Sequence, residues 1–243
     1  MTKTYVITGA TSGIGKALVE SYKNEDVKLI IIARNLEKAQ ALKEVIDESK
    51  LEIVIADLEN VASLKDSLKQ LVGRDLDGLI YSAGVTGIES LRKTTYEKFL
   101  KVMNVNFFAF AEILRLCTLK KDPQKLFRCV AISSCSSRVG SPCDQMYCSS
   151  KAAMDAFIRA SSIELESKNV EINSLQPNWV DTPLLDNIKA YHGDDFDNWM
   201  SQSAPLGMIS CDEIVEYIRF MLDKKGNKNT GTSILINGGA RIY

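Results

Sequence analysis

The chain of 243 residues holds a single histidine, His192, and that scarcity removes most histidine-dependent chemistry. His192 lies in the polar stretch "YHGDD", where a surface loop is its expected place, so a triad with a histidine base is hard to assemble. The six cysteines, Cys117, Cys129, Cys135, Cys143, Cys148 and Cys211, contain no C-x-x-C pair. Reduced thiols are expected of them, and no metal site. No apolar run approaches the ~18 residues of a membrane helix, and "MTKTYVITGATSGIG" meets glycines before a signal-peptide core develops. Lys and Arg number 30 against 31 Asp and Glu, for a formal charge of -1, and no basic stripe invites nucleic acid. A cytoplasmic protein with neither membrane nor nucleic acid as partner is expected.

What is present is alternation. The apolar runs "TYVIT" (4–8), "KLIIIA" (28–33), "LEIVIA" (51–56), "LDGLIYS" (76–82), "FRCVAIS" (127–133), "VEINSLQ" (170–176) and "SILIN" (233–237) read as seven strands. Leu29 to Ala33 is apolar throughout, as a strand covered on both faces requires. Segments such as "NLEKAQALKEVIDE" space their apolar residues by three and four, as helices do. This order predicts an α/β fold: a doubly wound parallel sheet with helices on both faces, formed as a single domain over residues 1–243. The longest irregular region runs from about Asn178 to Ser210 and reads as a lid. Leu184, Leu185, Ile188, Tyr191, Trp199 and Met200 within it are candidate pocket walls, or a small core of the lid itself.

Directly after the first strand, "TGATSGIG" places Gly9, Gly13 and Gly15 in G-x-x-x-G-x-G spacing. Glycine admits positive φ and close approach of a phosphate, and a helix starting near Gly13 aims free N–H groups at it. No Gly-Lys-Ser/Thr closes the loop, which excludes a Walker site. The second strand ends "IIIARN", with Ala33 and Arg34 where an NAD-binding sheet usually carries an acid for the ribose. Arginine can pair with a 2′-phosphate, so NADP(H) is the preferred cofactor and NAD(H) the alternative; a plain surface arginine is the competing reading. Ser12 adds no second positive charge. Asp57, in "ADL", is placed either to hydrogen-bond adenine or to cap a helix start.

Tyr147 and Lys151 in "YCSSKAAMD" stand four apart, on one helical face. The ordered set "TGATSGIG", "ADL", "YSAG", Asn106 in "MNVNFF", "ISS", "YCSSK", "PNWVDT" and "INGG" resembles the short-chain dehydrogenase/reductase family over essentially the whole chain. That resemblance implies an extended Rossmann fold and a catalytic set of Asn106, Ser134, Tyr147 and Lys151. Tyr147 would be the proton donor, its pKa moved down by the ammonium of Lys151 and the nicotinamide. Ser134 would polarise the carbonyl, and Asn106 would hold a water connecting Lys151 to solvent. Gly9, Thr11, Ser12, Gly13, Ile14, Gly15, Arg34, Asn35, Asp57, Leu58, Ser82, Ala83, Gly84, Tyr147, Lys151, Pro177, Asn178, Val180 and Thr182 would line the cofactor.

The pattern departs from the family's usual form in places. Ser82-Ala83-Gly84 replaces Asn-Ala-Gly, and Pro177-Asn178 replaces Pro-Gly; asparagine tolerates positive φ, so the turn is expected to survive. Cys135 and Cys148 adjoin Ser134 and Tyr147 and read as small packed side chains. Ala152, Ala156 and Ala160 form an i, i+4 row for close helix packing; with "FFAFAEILRL" (107–116), the resemblance implies a homodimer or homotetramer. The expected activity is NADPH-dependent reduction of a small ketone or aldehyde. NAD-dependent alcohol oxidation and a non-catalytic, dinucleotide-sensing role are the alternatives.

Overall fold

The computed structural model describes residues 2–223 and 228–240, apart from the side chains of residues 187, 191 and 192. The expectations for the side chains of Tyr191 and His192 therefore lie outside the described residues. Seven strands form one parallel sheet: β1 (Lys3–Thr8), β2 (Val27–Ala33), β3 (Leu51–Ile55), β4 (Gly78–Tyr81), β5 (Phe127–Ile132), β6 (Val170–Pro177) and β7 (Ser233–Ile236). Their order is β3-β2-β1-β4-β5-β6-β7, the reversal that opens a crevice at the carboxyl ends of β1 and β4.

Strand alternation sorts the core into two layers. Ile30, Ile32, Val6 and Leu79 face one cluster, whereas Leu29, Ile31, Ile7 and Ile80 face the other. The first layer is closed by α3 (Val61–Ser67), α5 (Ala109–Thr118) and α6 (Gln145–Glu164), which supply Leu64, Phe110, Ile113, Met154 and Ile158. The second is closed by α1 (Gly13–Ser21), α2 (Leu36–Gln40) and α9 (Cys211–Asp223), through Leu18, Val19, Ala39, Ile214 and Ile218. Among the described residues no helix is long and apolar enough to cross a membrane.

Two regions differ from the sequence expectation. Residues 178–210 are mostly helical, holding α7 (Asp186–His192) and α8 (Phe196–Ser203), and Val180 bridges Ile209 in parallel. The lid has its own interior: Leu185 and Met200 are buried, and the Trp179 and Trp199 rings meet edge to face at 4.8 Å. Of the candidate pocket walls, Leu184 is exposed and Ile188 half-buried. The second difference lies between α4 (Tyr96–Met103) and α5, where Asn104–Phe108 widens into a π-helical turn. Such turns insert a residue and re-aim a side chain. The hydroxyl of buried Tyr81, at the end of β4, donates to the Val105 carbonyl within that turn.

Tyr81→Phe would leave that carbonyl without its donor, and a buried unsatisfied acceptor costs about 1–3 kcal/mol. A urea unfolding curve should show this loss; unchanged stability would mean that the turn holds itself.

Candidate active site

The glycine turn is built by crowding. Gly9 (φ +69°) and Gly13 (φ +50°) occupy the left-handed region. A Cβ on Gly9 would stand 2.7 Å from the Ala83 nitrogen, and one on Gly15 would stand 2.3 Å from the Gly9 carbonyl oxygen and 2.6 Å from Ser82 Oγ. Gly15 thus serves close packing of α1 on the strand ends. Ser82 Oγ donates to the Thr8 carbonyl at 2.7 Å, and the Ala83 N–H donates to Thr8 Oγ1 at 3.2 Å, so serine provides a brace between β1 and β4. Gly13 faces Thr182, whose Cγ2 would lie 3.0 Å from an added Cβ; the first segment of the lid thereby closes over the turn. Val180 is buried and Thr11 half-buried. Ile14 and Leu58 pack against the core, one on each sheet face.

Around the crevice, the expected cofactor residues divide. Arg34 is exposed just past β2. The Asn35 side chain accepts from the Lys38 N–H at 2.9 Å and caps α2, so its amide oxygen is already engaged. Asp57 is exposed and accepts from the Glu59 N–H at 3.0 Å. Asn60, not Asp57, occupies the N-cap position of α3, without a side-chain capping bond. A Cβ added to Gly84 would come within ordinary contact of both Asn106 Oδ1 and Lys151 Nζ, which places the loop after β4 beside the catalytic candidates.

Lys151 is 3% exposed, and its ammonium donates to the Ile132 carbonyl at the end of β5 at 2.7 Å. Its Nζ lies 5.5 Å from the Tyr147 ring centroid. Desolvation pulls the Lys151 pKa down to about 8, opposed by the Asp155 carboxylate one turn further on. Burial pushes the Tyr147 phenol well above its ordinary value, aided by the negative charge of Asp144, while a hydrogen bond with Ser134 works the other way. The protein's own groups therefore keep Tyr147 protonated, contrary to the expected downward shift, because desolvation outweighs the charges around it. Ser134 is buried, and its Oγ accepts from the Ser136 N–H at 3.1 Å.

Asn106 is fully buried. Its amide donates to the Val85 carbonyl at 3.0 Å and to Ser150 Oγ at 2.9 Å, and its oxygen accepts from the Val85 N–H at 2.8 Å. Both amide donors are engaged in fixing the loop after β4 and the start of α6. The carboxamide thus braces this part of the site.

At three positions the structure adds to the sequence reading: Asn178 is held differently from expectation, and Asp155 and Asp144 were not singled out. Asn178 does not take the left-handed turn: among the described non-glycine residues, positive φ is confined to Lys120, Cys143 and Asn169. Its amide instead donates to the carbonyls of Ser203 (3.0 Å) and Asn237 (3.2 Å), and its oxygen accepts from the Cys135 thiol at 3.1 Å. One side chain thus joins both ends of the lid to the segment bearing Ser134. Asp155, 3% exposed, accepts from Ser174 Oγ at 2.7 Å and Gln176 Nε2 at 2.6 Å. Asp144 precedes α6 and is half-buried beside Tyr147. Cys148 is held protonated, pushed up to about 11 mainly by desolvation, and burial likewise raises Cys135. All six cysteines are free thiols.

The cradle fits a dinucleotide. Two left-handed glycines leave open backbone at the start of α1, no acid stands in its first turn, and Ser12 makes no side-chain cap. A parallel sheet with this crevice and a Ser–Tyr–Lys cluster at its carboxyl edge defines a dinucleotide-dependent oxidoreductase. Residues 9–241 match the family model described as enoyl-(acyl carrier protein) reductase. The chain belongs to the short-chain dehydrogenase/reductase family. It is 29% identical over 241 residues to 3-oxoacyl-[acyl-carrier-protein] reductase FabG of Rickettsia prowazekii (strain Madrid E), covering 98% of this chain and 96% of that one. Its fold superposes on 4-hydroxyisoleucine dehydrogenase complexed with NADH (TM-score 0.89, 24% identity, 98% of each chain). It likewise superposes on ElxO with NADP bound (TM-score 0.83, 22% identity, 98% of each chain).

A group whose charged form is disfavoured by burial and favoured by one carboxylate titrates in a foreseeable direction. By NMR of labelled lysine side chains, Lys151 should lose its proton near pH 8, and Asp155→Asn should move that titration lower. A midpoint at the ordinary lysine value of ~10.4, or no response to the substitution, would contradict the electrostatic account.

Proposed function

We propose that this oxidoreductase reduces the carbonyl of a small ketone or aldehyde with NADPH, Tyr147 delivering the proton. The observation carrying the reading is the buried Lys151 ammonium, fixed to the Ile132 carbonyl beneath the Tyr147 ring. When bound, the nicotinamide supplies the hydride. Ser134, beside the phenol, orients and polarises the carbonyl oxygen. Tyr147, held in its acid form by burial, passes its proton to that oxygen as it becomes an alkoxide. Lys151 holds positive charge next to the phenolate left behind and supplies an N–H to the ribose. Asn106 keeps the loop at Gly84 and Val85 in register with α6. The phenol, pushed upward, stands in its acid form near neutrality, the form that the reductive step uses.

Gly9, Gly13 and the start of α1 receive the pyrophosphate, and Thr182 closes over it. Arg34, exposed and without an ion pair or hydrogen-bond partner among the described residues, is the natural partner for a 2′-phosphate. The apolar groove between α5 and α6, lined by Phe108, Leu114 and Phe157, suits assembly as a homodimer or homotetramer. Ala156 and Ala160 lie exposed on α6, so their small side chains leave room for a neighbouring helix.

Tyr147→Phe should bind NADPH normally and lose about 10²–10⁴-fold in turnover, the usual contribution of a positioned general acid. Near-normal reduction by that variant would remove the assigned role. Arg34→Asp should weaken NADPH by about ten- to a hundredfold, the loss of one charge-assisted hydrogen-bonding partner, with NADH little changed. Fluorescence titration with both cofactors at matched ionic strength reads this directly, and an unaltered preference would assign the phosphate to another residue.

A further inference from the structure

Asp144 occupies the N-cap position of α6, where a carboxylate ordinarily accepts from the amides of the first turn, yet its side chain makes no capping bond. The residue before it, Cys143, is left-handed at φ 64°. The Asp144 carboxylate instead meets the Cys148 thiol at 3.4 Å, a donor shared with the Val139 carbonyl at 3.6 Å, and the Ser136 hydroxyl. Both donors are neutral, and no ion pair involves Asp144 among the described residues. It lies within electrostatic reach of Tyr147 and Cys135. A half-buried carboxylate with only weak neutral partners destabilises the fold that holds it, and groups so perturbed beside a proton-transfer residue are candidates for function. Asp144 stands immediately before α6 and within electrostatic reach of the phenol, so a substrate atom hydrogen-bonded to it lies close to the oxygen that Tyr147 protonates.

We infer that Asp144 is a specificity-determining residue that accepts a hydrogen bond from a hydroxyl or N–H on the carbon next to the reacting carbonyl. The substrate class is then the α-hydroxy or α-amino carbonyl compounds. A plain acyl chain offers no donor there, and its approach would leave the carboxylate desolvated and unpaired. The inference rests on the reductase reading given above.

Matched probes test it: 2-hydroxyacetophenone and its methyl ether, 2-methoxyacetophenone, each with NADPH, beside a 3-oxoacyl thioester. The wild-type protein should favour the hydroxy ketone in kcat/KM by about tenfold or more, the worth of one hydrogen bond to a charged group. Asp144→Ala should bring the ratio of hydroxy ketone to methyl ether near one, the ratio within each variant cancelling any change at Tyr147 common to both ketones; Asp144→Asn, which keeps an acceptor, should retain part of it. NADPH affinity in each variant checks folding. A wild-type ratio near one, faster turnover of the thioester than of the hydroxy ketone, or equal losses on both ketones in both variants would overturn the assignment. Absence of turnover on every carbonyl, with NADPH bound, would instead overturn the reductase reading beneath it.

Discussion

Everything at the catalytic edge depends on keeping one ammonium charged where water barely reaches. Lys151 is nearly enclosed, and a buried amine without partners would shed its proton. The Ile132 carbonyl takes one of its protons at 2.7 Å, which fixes α6 to the end of β5. Asp155 supplies the opposing charge. That carboxylate is itself held by Ser174 and Gln176 from β6, and Arg138 reaches Gln176 Oε1 at 2.6 Å. A polar seam therefore runs from the surface arginine to the buried lysine, crossing β6 and α6. The price of burying these groups is met by hydrogen bonds that each join two different elements, so the seam also sets the register of helix on sheet.

The second constraint is geometric. β4 ends in Tyr81, whose hydroxyl captures the Val105 carbonyl, and the chain beyond β4 is gripped by Asn106. The π-helical turn between α4 and α5 turns Asn106 inward, and Ser150 links it to α6. A side chain at Gly84 would meet the Asn106 and Lys151 side chains there. On the opposite side, Asn178 ties the lid's two ends and the loop after β7 to Cys135. Glycine at that position would supply none of these bonds.

The strands were legible because burial on both faces leaves a signature in the residues themselves: Leu29 to Ala33 has no polar interruption. The glycine turn, Tyr147 and Lys151 were legible because their spacing is local. What sequence could not display were contacts made across the fold. Asp155 looks like an ordinary helix acid until β6 brings Ser174 and Gln176 against it. Asn178 looks like a glycine substitute for a left-handed turn, yet its side chain finds partners 25 and 59 residues further along. The lid's helices are short, and their stabilising contact between Trp179 and Trp199 spans both ends of the segment, so no single window carried a strong period. The π turn depends on Tyr81, from a distant strand.

The two carboxylates that flank Tyr147 and Lys151 act in one direction. Asp144, three residues before Tyr147, makes the phenolate harder to form; Asp155, four residues after Lys151, makes the ammonium easier to keep. Each favours the protonated form of its neighbour. Together they favour the phenol and the ammonium over the phenolate and the neutral amine. A positively charged nicotinamide works against Asp144, while reduced nicotinamide, being neutral, does not.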